Sequence, residues 1–506
     1  MKKISVLLAA VLVFAVALSA AAAPGALPGG GWWSPFQIQN VGDGEASLAY
    51  TAYWQVGLGT GDTYSQDGAI AVPAGESVTY NPALVPNYPT GSRIGFDTTD
   101  KHLPSGFAGG VVVSADQPIR AVVTVNNFQS GAMGVEGGRA SAYYQSVQEP
   151  GDLLSFPVMK HNYFGQTTTF YIQAAGEAAT INATFTYPGG SQSMTGINIP
   201  AGRTYMLDPL AADVPGNVLG SLVVEATAGQ IAGVIMETQH NVAVGTFAMS
   251  TKAFAPTDAD VKVVAPTNKT IYFGATTGWQ LLNTTDTEAT VDVTFTIAGV
   301  QAGSKAAVAD IAVGDQFEIE ITIPANGSYL FSTGLAAGAN YYKAVEVGGT
   351  KTITEGLFFS GVAVSTQPLV ATVNENNGPN RILYSAFGAD GATTKLAAPA
   401  VKEAFFNQRT SLNVQNVGDV ATTPTAVYNC AGEEYTVAAP AAINPGQAVN
   451  FFLLSDVARW GEVKVPAGNN CAVIVTAGQP IVAVAQESII GDSQDIKNYE
   501  GFNLTP

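Results

Sequence analysis

The chain has 506 residues, 55 of them glycine, with charged residues at 12% and a formal net charge of −18. That length allows several domains at roughly 100–200 residues each, and a 47% hydrophobic composition excludes a disordered polar polymer. The acidic balance disfavours nucleic acid and anionic lipid as partners; it is compatible with a solvated acidic surface or with cation bridging.

Residues 1–23 read as a secretory signal: Lys2 and Lys3, an apolar run from Ile4, and Ala21-Ala22-Ala23 as a small-residue cleavage site. Its removal takes away two lysines, so −18 becomes −20. No cysteine near the site offers a lipid anchor. No later run of about 18 apolar residues would span a membrane. The mature chain is therefore expected to be extracellular or at the cell surface, with no transmembrane segment.

Residues 24–31 are a Pro- and Gly-rich leader. Strands are then expected at Phe36–Val41 and, after the Gly42-Asp43-Gly44 turn, at Ser47–Trp54. The turn Val72-Pro73-Ala74-Gly75 precedes Ser77–Tyr80, and Asp116-Gln117-Pro118 separates Gly110–Ser114 from Ile119–Asn126. A loop at Gly131–Gly138 leads to Ala140–Val147.

The same order then recurs, the mark of a repeat architecture. Phe156-Pro157-Val158-Met159-Lys160 leads to Phe170-Tyr171-Ile172-Gln173; Pro266 and Lys269 lead to Trp279-Gln280-Leu281-Leu282-Asn283; Pro399 and Lys402 lead to Leu412-Asn413-Val414-Gln415-Asn416. Phe36-Gln37-Ile38-Gln39-Asn40 is a fourth copy, with Ala26 in the lysine's place. The proline turn returns at Pro200-Ala201-Gly202, Pro324-Ala325-Asn326-Gly327 and Pro445-Gly446. The Gln-Pro turn returns at Gln367-Pro368 and Gln479-Pro480, and more loosely at Gln230-Ile231. Repeat three is stretched at Gln301–Phe317 and Tyr341–Glu355.

Short strands with turns every 8–12 residues and no sustained helical period predict an all-β chain of antiparallel β-sandwiches. Four tandem domains are expected, at 24–152, 153–262, 263–396 and 397–506, joined by short linkers into a semi-rigid rod.

The Asn-x-Gly turns Asn40-Val41-Gly42 and Asn416-Val417-Gly418, with the Pro-Ala-Gly turn, resemble bacterial extracellular immunoglobulin-like modules, CARDB-type adhesion modules among them. The whole chain is similar to uncharacterised secreted repeat proteins of filamentous bacteria. Repeats two and three depart at this turn, with Ala174-Ala175-Gly176 and Asn283-Thr284-Thr285. The resemblance implies four immunoglobulin-like domains and a surface, adhesive or scaffold role. It brings no catalytic residues.

Cys430 and Cys471, an even pair in an exported chain, predict a disulfide, with two separately buried thiols as the alternative. His102, His161 and His240 belong to no metal or catalytic pattern. Asp258-Ala259-Asp260 and Asp97-Thr98-Thr99-Asp100 offer oxygen ligands but match no full calcium loop. No cofactor is expected. Trp32-Trp33, Tyr143-Tyr144 and Tyr341-Tyr342 are candidates for sugar stacking, against a core role.

Repeats two to four each join an early lysine to a glutamate on the late strand: Lys160 with Glu237, Lys269 with Glu375, Lys402 with Glu487. Repeat one lacks both, having Ala26 and Val125. Joint presence and absence points to an ion pair between those strands. An isopeptide bond, with Asn126, Asn374 and Asn376 neighbouring the same strand, is the sharper alternative, and no contact the blander one.

The expected function is that of a non-enzymatic structural or adhesive protein of the cell surface (a sheath, surface layer or filament component) with self-association as its partner chemistry. The alternative is an extracellular polysaccharide-binding protein with a cell-surface glycan as partner; an enzyme of unfamiliar type comes third. Asn182, Asn268 and Asn283 lie in glycosylation sequons.

Overall fold

The structure is a computed structural model describing residues 10–11, 32–59, 61–80, 103, 107–127, 140–239, 247–308, 311–332, 345–346, 355–377, 380–452, 465–489 and 492–504. Residues 1–9 and 12–31, Ala26 among them, together with His102, His240, Asp97–Asp100, Gly131–Gly138 and Tyr341-Tyr342, lie outside them.

The described residues are almost entirely antiparallel β-structure, with only a 3-10 turn at Pro256–Asp258 and a helix at Lys305–Val308, which lies in the stretched part of repeat three. The second repeat shows the plan. One layer pairs Leu153–His161, the first half of Val218–Gln239, the second half of Gln166–Tyr187, and Gly190–Ile199. The other layer pairs Ala248–Lys252, the second half of Val218–Gln239, the first half of Gln166–Tyr187, and Thr204–Leu207. Both layers contribute to one buried cluster that includes Phe156, Phe170, Ile172, Phe185 and Leu222.

The same pairing recurs in the other repeats. The long strand Leu357–Asn377 joins Asp260–Thr270 in one layer to Asn380–Ser385 in the other, and Asn469–Ile489 joins Thr393–Glu403 to Asp492–Glu500 in the same way. These strands of 21 or 22 residues correct the expectation of short strands only. Gln230-Ile231, Gln367-Pro368 and Gln479-Pro480 do not turn the chain back. They mark where one strand leaves its first partners and crosses to the second layer, with a shift of register. A proline's missing N–H is tolerated at such a crossing. In the first block Gln117-Pro118 does break the strand, giving Gly109–Ala115 and Ile119–Asn127.

The asparagine closing the first motif is fully buried and organises its turn. Asn416 donates to the carbonyls of Val420 (2.8 Å) and Ile443 (3.0 Å) and accepts from Gly418 N–H (3.0 Å). Asn40 does the same with Gly44, Val72 and Gly42. Asn283 keeps this role although Thr285 replaces the glycine. Only the second block, with Ala174, does without it.

The blocks do not form a rod. The first layer of each packs on the second layer of the next. Val56 N–H donates to Thr204 O (2.8 Å) and Arg203 to Gly61 O (2.7 Å) between blocks one and two. Leu153–His161 packs on Thr276–Asn283 between two and three. Gln415 donates to Gly361 O (3.3 Å) between three and four. Asn470 donates to Gln37 Oε1 (2.8 Å) between four and one, which closes the ring. A head-to-tail contact whose rotation returns to its start gives a closed cycle instead of a filament.

Short linkers, from which a rod is expected, also permit the chain to fold back on itself. Gln37, Gln39, Gln173, Gln280, Asn413 and Gln415 alternate with core residues, and all six are buried against the adjoining block.

The last strand of each block, Ala140–Gln145, Ala248–Lys252, Asn380–Ser385 and Asp492–Glu500, packs against those of both neighbouring blocks at the ring centre. There Gln145 Nε2 donates to Glu500 O (2.6 Å), Thr251 Oγ1 donates to Glu500 Oε1 (3.0 Å), and the Thr251 and Ser385 hydroxyls lie 2.5 Å apart. Ser385 N–H also donates to Glu500 Oε1. One residue from each block thus meets at a single buried point. Burial pushes the Glu500 carboxyl above its ordinary range, against the pull of these donors and of Lys252.

The ring makes a shape prediction. Small-angle scattering of the chain from residue 24 onward should give a radius of gyration near that of one compact body of about 480 residues, about 23 Å. A four-bead rod would give a much larger value.

Candidate binding clefts

Each predicted lysine lies at the end of a first strand and points between the layers of its block. Lys160 Nζ is 2.7 Å from Glu237 Oε1, Lys269 Nζ 2.7 Å from Glu375 Oε1, and Lys402 Nζ 3.0 Å from Glu487 Oε2, all with both partners largely buried. These are ion-pair separations. Each lysine's backbone N–H donates to a threonine hydroxyl eight residues on: Thr168, Thr277 or Thr410. Lys160 and Lys402 also donate to Gln166 (2.5 Å) and Gln408 (2.7 Å). In the first block Val125 is fully buried in the apolar cluster instead.

The fourth pair is larger than its sequence suggested. Lys497 lies 3.0 Å from Glu487 Oε1, and Tyr143 from the first block donates to Glu487 Oε2 at 2.6 Å. Burial raises the Glu487 carboxyl, but the attraction of Lys402 and Lys497 and the donated hydrogen bonds outweigh it and hold the pKa at about 2. Repeat comparison reaches neither: Tyr143 comes from the first block across the ring closure, and the positions that match Lys497 hold Met249 and Ile382 in the second and third blocks.

Cys430 and Cys471 form a disulfide between neighbouring strands, Thr425–Cys430 and Asn469–Ile489. His161 Nδ1 lies 2.7 Å from Val214 O. Asp258 pairs with Lys252 (3.0 Å), and Asp260 accepts from Lys262 and Asp390 N–H groups. Among the described residues no group of His, Cys, Asp and Glu is placed to hold a metal ion. Asn374 and Asn376 face the cleft between the second and third blocks, and Asn126 is buried in the first.

The stacking candidates Trp32, Tyr143 and Tyr144 are buried, Tyr143 and Tyr144 in the clusters of two different blocks. Among the described residues the exposed aromatics are Phe164, Phe273 and Phe406, each four residues after a repeat lysine. The signal was present in the sequence as Tyr163-Phe164, Tyr272-Phe273 and Phe405-Phe406 at one repeat position.

Two of these turns stand at the mouths of clefts between blocks. The first cleft, about 260 Å³, has Lys160, Phe164 and Glu237 on one side and Gln280, Asn374 and Arg381 on the other. The second, about 610 Å³, has Lys269, Phe273 and Glu375 opposite Asn413, Asn450 and Gln486. Head-to-tail packing places corresponding groups together at both joints: the pair and aromatic turn of one block with the amide-bearing strand of the next.

No protein-family model matches the chain, and no curated protein matches it. Among solved structures, the crystal structure of Thermotoga maritima 1070 aligns with 22% of this chain and 96% of its own, at 12% identity and a TM-score of 0.19. A likeness of that size carries neither fold nor function.

Two predictions follow from the ion pairs. Lys160→Met strands Glu237 in the interior and should cost about 3–5 kcal/mol in denaturant unfolding, whereas the double change Lys160→Met with Glu237→Leu should recover most of it. Glu487 has its folded pKa depressed, so its contribution is present above the ordinary carboxylate value of 4.5 and is lost as pH falls towards 2. The stability gap between the wild type and Glu487→Gln should therefore be wide at pH 6 and close across that window.

Proposed function

We propose that this chain is an exported, non-enzymatic protein of the cell surface, structural or adhesive in role, built of four immunoglobulin-like β-sandwich domains closed into a ring. The leader at residues 1–23 and the Cys430–Cys471 disulfide support export, since such bonds persist in oxidising compartments. The turn chemistry at Asn40 and Asn416 supports the domain type.

One observation carries the structural role. Ring closure buries the inner edge strands and leaves outer edges at Thr63–Val72, Gly190–Ile199 and Glu433–Ala438. Exposed edges are templates for pairing with other chains, which charge, proline or a bulge counters; Gly190–Ile199 carries a register shift between Met194 and Ile197. Glu433 and Glu434 protect the fourth block, and Asp67 lies in the first block's edge. Gly190–Ile199 holds no charged residue and no proline. Its free edge is suited to a second copy of this chain.

Electron microscopy of the mature protein across concentration tests this, with and without calcium. Ordered filaments or sheets are expected, and Thr195→Lys should weaken them without changing the ring. Monodisperse single rings under every condition would sink the proposal.

A further inference from the structure

Phe164, Phe273 and Phe406 are 74%, 69% and 60% exposed and have φ of 51°, 49° and 47°. A bulky side chain in the left-handed region is an outlier, where glycine or asparagine fits without strain. An exposed phenylalanine also forgoes the gain from burying its ring. Each is nevertheless held edge-on by the aromatic residue before it, at centroid distances of 4.7, 4.8 and 4.5 Å. Strain and exposure at the same position in three turns mark a surface kept for a ligand. In a cyclic ring, equivalent turns lie on one side of the molecule.

A second, independent observation comes from the cleft walls. Behind Phe164, the buried atoms Glu237 Oε2, Gln280 Oε1, Thr372 Oγ1, Asn374 Oδ1, Asn376 Oδ1 and Arg381 Nε have no hydrogen-bond partner in the protein. Behind Phe273 the same holds for Glu375 Oε2, Asn413 Oδ1 and Asn450 Oδ1. A buried polar group left unsatisfied costs about 1–3 kcal/mol. Most of these atoms are acceptors, while Arg381 Nε donates and Thr372 Oγ1 can do either, so their complement is a ligand that mainly donates and also accepts, as hydroxyls do.

Charge narrows the class. Anionic ligands meet these oxygens and a chain of net charge −18. A cation is opposed in the first cleft, where Lys160 and Arg381 outnumber Glu237. A neutral ring bearing several hydroxyls and one apolar face satisfies both walls: its hydroxyls donate to the amides while its face lies on the phenylalanine. The first cleft is just below, and the second within, the roughly 300–1,000 Å³ usual for small-ligand sites.

We propose that the clefts at Phe164 and Phe273 are two subsites for sugar rings of an uncharged polysaccharide. Two such sites on one side of a rigid ring would hold a polymer more tightly than either alone. The proposal is independent of edge-to-edge assembly, because the clefts lie between blocks and the free edge lies outside them.

The test is calorimetric titration of the full mature protein with cellohexaose, xylohexaose and mannohexaose, and with oligogalacturonate as the charged control. At least one neutral hexasaccharide is expected to bind at two sites per chain. Phe164→Asn and Phe273→Asn should each remove one site, and the double variant should lower affinity at least tenfold. Phe406→Asn, whose ring lines neither cleft, should bind as the wild type does. Asparagine tolerates the left-handed turn, so all three variants should keep or raise the melting temperature; this separates lost binding from lost folding. Absence of binding by all three neutral sugars, preference for oligogalacturonate, or undiminished binding by the double variant would each overturn the proposal.

Discussion

Everything in this molecule depends on the packing of the first layer of one block against the second layer of the next. The contact is head-to-tail, and such a contact is unsatisfied at both ends unless it closes. Closure after four blocks also settles the edge-strand problem at the centre, where four terminal strands cover one another. Gln145, Thr251, Ser385 and Glu500 meet there through hydrogen bonds that no single block could supply. A buried network of this kind is favourable only when its members find partners, which ties block orientation to polar chemistry as well as apolar area.

The buried ion pairs act at the next level down. Lys160, Lys269 and Lys402 each link the two layers of their own block through a glutamate on the long crossing strand. Taking two charges out of water offsets much of their attraction, so such pairs contribute specificity more than stability. Val125 shows that the first block closes with an apolar residue at the same position. In the fourth block, Tyr143 reaches Glu487 from the first, so one pair also reports on ring closure.

The inter-block clefts inherit their composition from this geometry. Equivalent faces meet at successive joints, so an aromatic turn faces a strand carrying amides at Phe164 with Gln280 and at Phe273 with Asn413. Repetition in the sequence becomes repetition of a site because consecutive blocks pack head to tail through equivalent faces.

The amino-acid sequence by itself determined the β-structure, the four repeats, the residues of the layer-to-layer ion pairs and the turn asparagines. Each is a local or same-repeat feature, visible as period, spacing or recurrence: lysine three residues after proline, asparagine closing a strand. Tertiary structure alone decided the ring, the central knot at Glu500, the reach of Tyr143 and Lys497 to Glu487, and the burial of Gln37, Gln173 and Gln415. Alternating amides look the same in sequence whether they face water or another block, because the alternation records only which residues avoid their own block's core. Only the relative placement of the blocks distinguishes the two, and that is fixed by surfaces distant in sequence, such as Gln37 against Asn470.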